Sequence, residues 1–237
     1  MKKAIFFDLD GTLLPMDQKK FEYEYFKLAI EKFAALGYNP ETFQNALWGG
    51  IKAMWNNPGE ITNEELFWKE FKKVYPNAEE MTPLFKDYYF NEYNKIESIV
   101  TKDESVRKIV DWCNQNFEYV ILATNPFFPT YATQNRMAWI GLKPEDFTHI
   151  TTYETSYYSK PSKEYYKKLL DKYNLKAEEC IMVGNNELED YIVTKELGFD
   201  AILAGDFILP YKDSTTTPTS TKLCDLINVI KQIKESY

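Results

Sequence analysis

The chain has 237 residues, a net charge of −8 and an aromatic content of 16%. That length accommodates one large domain, or a core domain carrying a smaller insert, and it can bury a sizeable core. The acidic balance argues against nucleic acid and anionic membrane as partners, but a local lysine or a metal ion could still accommodate an anionic substrate.

Cys113, Cys180 and Cys224 have no paired spacing. They fit a reducing cytoplasm better than a disulfide framework or a zinc site. No stretch approaches the ~20 apolar residues that span a bilayer. The apolar run after Met1-Lys2-Lys3 is too short for the core of a signal peptide.

The first apolar run, Ala4-Ile5-Phe6-Phe7, reads as a short buried strand. It ends at two carboxylates one residue apart, Asp8 and Asp10, and Gly11 then permits a turn that other residues resist. Ligand sites of open α/β sheets lie off the carboxyl ends of the strands. Two acids there are costly unless a cation or a substrate uses them. With an ordinary pKa of about 3.9, an aspartate is ionised at pH 7 and can attack phosphorus. A carboxylate two positions on can protonate the leaving oxygen and then take a proton from the water that cleaves the acyl phosphate. A divalent cation would neutralise charge between Asp8 and the phosphoryl oxygens.

For about eighty residues the pattern is then helical. Asp17 caps a helix over residues 17–36, closed by Gly37, and Asn39-Pro40 opens a second. The pair Gly49-Gly50 marks either a weak spot or a close approach. Thr62 with Glu65 forms a capping box for a third helix, Pro76-Asn77 breaks it, and Thr82-Pro83 opens a fourth. With almost no strand signal, residues 16–97 read as an all-helical cap domain whose aromatic stripe is mainly its own core.

From residue 98 helices alternate with strands. A helix over 103–114 leads to a strand over 119–123, followed at once by Thr124-Asn125-Pro126. Pro129 starts a helix that runs through Trp139. Residues 148–153 form a strand candidate containing His149, the one histidine, read as structural. Lys160-Pro161-Ser162 precedes another helix. The apolar run Cys180-Ile181-Met182-Val183 ends at Gly184-Asn185-Asn186-Glu187-Leu188-Glu189-Asp190. A helix to Leu197 and a strand over 201–203 follow. Residues 213–221 read as a mobile polar loop, and 223–233 as a closing amphipathic helix.

Four strand-end segments thus carry polar groups: Asp8 and Asp10; Thr124 and Asn125, which can hold phosphate oxygens; Lys160, a point charge suited to phosphate and to an ionised Asp8; and Asn185, Glu189 and Asp190, oxygen ligands for a hard cation. In this order they resemble the haloacid dehalogenase-like hydrolase superfamily. Asp8-Leu9-Asp10-Gly11-Thr12 looks like its first motif, Thr124 its second, Lys160-Pro161 its third, and Gly184 through Asp190 its fourth.

The resemblance implies an α/β fold. Its core would be Rossmann-like and three-layered with a parallel sheet, formed by residues 1–15 and 98–237, and the helical cap would be inserted between the first and second motifs. It implies Mg²⁺ and, in most members, phosphate-ester hydrolysis. Asp8 would be the nucleophile and Asp10 the acid/base. Thr124, Asn125 and Lys160 would hold the phosphoryl group, and Asp8, the Asp10 carbonyl and Asp190 would hold the metal with Asn185 assisting. Dehalogenases of the superfamily lack the second aspartate of the first motif, so Asp10 favours a phosphohydrolase or a phosphomutase acting on a small phosphorylated metabolite in the cytoplasm. Asn185 stands where the fourth motif usually has aspartate. It brings no charge, which motivates the alternative of a non-catalytic relative that binds a phosphorylated ligand or a protein. Cap closure would pivot near residues 14–17 and 96–100.

Overall fold

The computed structural model describes residues 1–236. Six strands form one sheet in the order β3-β2-β1-β4-β5-β6: β1 Ala4–Phe7, β2 Tyr119–Leu122, β3 His149–Ile150, β4 Cys180–Gly184, β5 Asp200–Ala204 and β6 Ser220–Thr221. Every pairing is parallel. This is the α/β, Rossmann-like architecture expected from the sequence.

Strand β1 is central, pairing with β2 on one side and β4 on the other. Its side chains alternate between faces, as strand geometry requires: Ile5 and Phe7 enter one apolar cluster, Ala4 and Phe6 the other. Phe6 packs edge-on against Phe199 at 5.3 Å between ring centroids. Both faces are therefore covered, and all four residues are fully buried.

Between β1 and α5 (Ser105–Asn116) the regular structure is helical: α1 Gln18–Ala35, α2 Pro40–Trp55, α3 Asn63–Phe71 and α4 Thr82–Phe90, with short 3₁₀ turns. The local signals hold. Asp17 accepts the Lys20 amide, Asn39 accepts the Thr42 amide, and Thr62 and Glu65 cap each other. Gly50 is where α2 meets the Phe67 ring of α3. Phe33, Phe43, Phe67, Phe71 and Phe85 pack on one another within the helical insert, and this core is continuous with one face of the sheet. One continuous cluster runs from Ile5 through Phe21, Tyr25 and Phe85 to Met137. Pro15 O accepts the Thr101 amide at 2.9 Å, tying the two linkers of the insert together.

The remaining helices are α6 Thr130–Trp139, α7 Lys163–Tyr173, α8 Val193–Leu197 and α9 Leu226–Glu235. Two segments differ from the sequence reading. The strand expected over 148–153 is two residues long, because its ladder with β2 ends at Ile150. The polar loop expected over 213–221 ends in β6, whose Ser220 and Thr221 pair with Leu203 and Ala204 of β5.

His149 is half-buried on β3, with Lys172 Nζ 3.1 Å from its Nδ1. Burial, then the Lys172 charge, push its pKa down to about 4. Folding thus favours the neutral ring, and the His149 contribution to stability is intact above pH ~6.5 and lost as pH falls toward 4. With one histidine in the chain, a ¹H–¹⁵N titration reads it alone: the ring is expected to stay neutral at pH 5.5, and an ordinary midpoint near 6.5 contradicts this environment.

Candidate active site

Because β1 lies between β2 and β4, the residues that follow the three strands meet at one end of the sheet. The Asp8 amide donates to Val183 O at 2.9 Å, and the Ala123 amide donates to Phe7 O at 2.7 Å. Lys160 arrives from the loop before α7 and is fully buried. Its Nζ donates to Asp8 Oδ1 at 2.8 Å and to Asp190 Oδ1 at 2.6 Å.

The other Asp190 oxygen, Oδ2, accepts the amides of Asn185 and Asn186 at 3.1 and 3.0 Å. This close approach needs Gly184: a Cβ there would come within 2.2 Å of the Asp190 carboxyl. The turn Glu187–Ile192 is π-helical, a local widening that recurs at functional sites. Opposite it, Gly11 adopts φ +83°, which an L side chain resists, and the turn brings Thr12 Oγ1 within 3.3 Å of Asp8 Oδ2 and 3.4 Å of Asn185 Oδ1.

One ammonium faces two carboxylates; Lys160 and Asp190 are sealed from solvent and Asp8 is nearly so. Burial opposes the Lys160 charge, but Asp190 and Asp8 outweigh it and hold its pKa well above the ordinary range. Asp8 goes the other way from a free carboxyl. Burial pushes it up to about 7, partly offset by Lys160 and reinforced by Asp190 and Asp10. Glu189 is likewise raised to about 7, by burial first and by Asp190 second.

The second-strand residues line the same end. Asn125 bridges two elements, its Oδ1 accepting the Lys160 amide and its Nδ2 donating to Glu189 Oε2, each at 3.2 Å. Thr124 is buried, and its carbonyl accepts Thr151 Oγ1 at 2.6 Å and Tyr165 OH at 2.9 Å.

Asp10 holds a partner that the sequence reading missed. Arg136 of α6, fully buried, makes an ion pair with Asp10 Oδ2 through Nη1 and donates to Thr133 Oγ1 through Nη2. Its guanidinium lies 4.3 Å from the Phe128 ring centre and 5.9 Å from that of Phe21. Among the described residues nothing donates to the buried Asp10 Oδ1. One signal was present. Arg107 and Arg136 are the only arginines in a lysine-rich chain, and arginine is the cation suited to buried carboxylate pairs.

The insert is fastened beside the site. Asn63, buried at the start of α3, donates to Pro126 O at 3.0 Å and to Ser159 Oγ at 3.1 Å, and accepts from Asn57 at 2.8 Å. Ser159 precedes Lys160, so the insert is tied to the loop that carries the lysine.

A family model described as haloacid dehalogenase-like hydrolase matches residues 2–198. The chain belongs to the haloacid dehalogenase-like hydrolase family. No curated protein matches it. Its fold is shared with a 2-haloacid dehalogenase from Pseudomonas syringae pv. Tomato DC3000 (17% identity, 98% of this chain and 99% of that one, TM-score 0.64). It is also shared with the HAD-hydrolase YfnB from Bacillus subtilis, whose structure contains magnesium (17% identity, 98% and 99%, TM-score 0.56). A third match is a HAD phosphatase from Thermococcus onnurineus (15% identity, 96% and 97%, TM-score 0.54). At these identities the likeness concerns the fold.

The residues of this haloacid dehalogenase-like hydrolase test the magnesium expectation. Among those described, no three His, Cys, Asp or Glu side chains are grouped to hold a metal. Asp190, expected as a ligand, has both oxygens engaged by Lys160 and two amides. What fits a cation is a pair of oxygens converging on Thr12. Asn185 Nδ2 donates to Phe207 O at 2.8 Å, which leaves Asn185 Oδ1 on the side of Thr12 Oγ1, where Asp8 Oδ2 also lies. Hard cations take such oxygens, here one anionic and one neutral.

Proposed function

We propose that this hydrolase cleaves the phosphate ester of a small phosphorylated metabolite through an aspartyl phosphate on Asp8. The observation that carries the reading is the ammonium of Lys160 bridging Asp8 and Asp190, with Asp10 two residues further along the chain. In the first step Asp8 bonds to phosphorus, the bond to the ester oxygen breaks, and a proton from Asp10 goes to that oxygen. In the second, water attacks the same phosphorus, the Asp8–phosphorus bond breaks, and Asp10 takes the proton of the water. Lys160 and Thr124 face the phosphoryl oxygens, and Asn125 fixes the Lys160 backbone.

A halide leaves without a proton, so attack on a carbon–halogen bond has no use for Asp10. Arg136 engages Asp10 Oδ2, and Oδ1, to which no described group donates, is the oxygen left to carry the proton. Magnesium would be held by Asp8 Oδ2, Asn185 Oδ1 and the Asp10 carbonyl, and when bound it would supply positive charge to the phosphoryl group. No helix among the described residues is long and apolar enough to cross a membrane. The three cysteines are free, which supports a cytoplasmic setting.

The test is phosphate release from p-nitrophenyl phosphate against chloride release from 2-chloropropionate. Phosphate release alone is expected, and chloride release alone overturns the reading. A metal titration refines it. Asn185→Asp adds a charged ligand and is expected to lower the magnesium needed for half-maximal rate by about tenfold or more. Asp190→Asn cannot satisfy an ammonium and two amides at once. It should cost about 1–3 kcal/mol of stability and reduce kcat, while the magnesium requirement moves less than about threefold. A large rise in that requirement would return Asp190 to the metal.

A further inference from the structure

Above Asp10 a cleft of about 130 Å³ opens between the insert and the strand ends. Its walls are rings: Phe21, Phe26, Trp48, Trp55, Phe127 and Phe128. Trp55 and Phe127 have centroids 6.2 Å apart, and Phe26 and Trp48 5.7 Å. Trp48, Ile51 and Trp55 fall on one face of α2, and each tryptophan leaves 48% of its surface in solvent at the mouth. Exposed tryptophan is costly in apolar area unless something covers it.

The charges lining the cleft have one sign. They are Asp10, Glu22 and Glu189, with no lysine, arginine or histidine. Arg136 lies behind Phe21 and Phe128, fully buried and paired with Asp10. A second anionic group on a substrate would meet Glu22 and the partly ionised Glu189 without a counter-cation. The volume is close to the ~150 Å³ of an apolar cavity that accepts benzene, so it suits one planar ring.

We propose that the cleft selects phosphomonoesters of alcohols that carry a single planar aromatic ring and no anionic group. This assignment rests on the phosphohydrolase reading and adds the class of leaving group to it. Ring walls stack on such a group, while the acidic lining excludes carboxylated or doubly phosphorylated ones.

The experiment compares ethyl phosphate, benzyl phosphate and 4-carboxybenzyl phosphate as substrates of the full chain. The kcat/KM for benzyl phosphate should exceed that for ethyl phosphate by about 30-fold or more, within what an apolar pocket can discriminate. The carboxylate should reduce it by about tenfold or more through like-charge repulsion. Trp55→Ala and, separately, Trp48→Ala should each shrink the first ratio, and Glu22→Gln should shrink the second. Similar efficiencies on all three esters overturn the ring assignment and leave the phosphohydrolase reading standing. So does a preference for the carboxylated ester. Failure on all three and on p-nitrophenyl phosphate overturns both.

Discussion

Asp8→Asn is expected to lower phosphate release by at least about a thousandfold, because the amide cannot form the covalent intermediate. The same protein should remain well folded. Asp8 is buried beside two other acids and raised to about 7, so at neutral pH it adds little ionic stabilisation. The sign of the pH effect follows. A carboxyl whose folded pKa lies above its unfolded value of about 3.9 binds more protons in the native state between those values. The Asp8 contribution to stability therefore declines as pH rises from about 4 through 7, opposite to that of His149, and the Asn variant lacks it. The nucleophilic form increases across the same range, so the metal-free rate should climb with pH and level off above about 8. Activity near wild type in Asp8→Asn would remove Asp8 from the nucleophile's role. Urea unfolding from pH 4 to 8 tests the linkage.

Arg136→Met is expected to have the largest effect on stability. The variant keeps the apolar stem against Phe21 and Phe128 but leaves the Asp10 carboxyl without its cation. Breaking a buried pair from one side costs about 3–5 kcal/mol, which at 2–4 °C per kcal/mol is a Tm fall of roughly 6–20 °C. Asp10→Asn in the same chain should recover part of the loss, since a neutral amide needs no counter-ion. Additive losses in the double variant would mean that the two side chains are not energetically coupled. Unlike Asp10→Asn, Arg136→Lys should retain measurable activity. It keeps a positive charge near Asp10 but loses the planar fork that orients the carboxylate, so kcat should fall more than KM changes.

The parts legible in the sequence were those with local causes. Asp17, Asn39 and Thr62 announce helix starts because a cap is satisfied within three residues. Ala4 through Phe7 announces a strand by apolarity, and the glycine after Asp10 announces the turn. The parts that escaped depend on distant partners. Arg136 meets Asp10 across 126 residues, and no spacing rule spans that interval. Ser220 and Thr221 are polar, and they form a strand only because β5 offers its edge. Asp190 reads from sequence as a ligand, and the partners that engage its oxygens, Lys160 and two amides, are not visible there. The aromatic stripe of the insert is mainly its own core, as read from the sequence. Which of its rings leave that core, Phe21, Tyr25 and Tyr93 against Phe128, depends on a partner distant in sequence.

The central position of β1 also bears on how the molecule is made. Its two neighbours, β2 and β4, begin at Tyr119 and Cys180, so the strand leaves the ribosome long before either can pair with it. At ordinary synthesis rates of ~5–20 residues per second, that delay is roughly 6–20 s to the first neighbour and longer to the second. Meanwhile four consecutive apolar residues wait without hydrogen-bond partners, and only the insert can condense around them. Nascent chains stalled before residue 119 should therefore present a helical, aromatic-rich particle with an adhesive N-terminal segment, a natural client for a holdase. Chains stalled beyond residue 184 can zip the sheet from its middle outward.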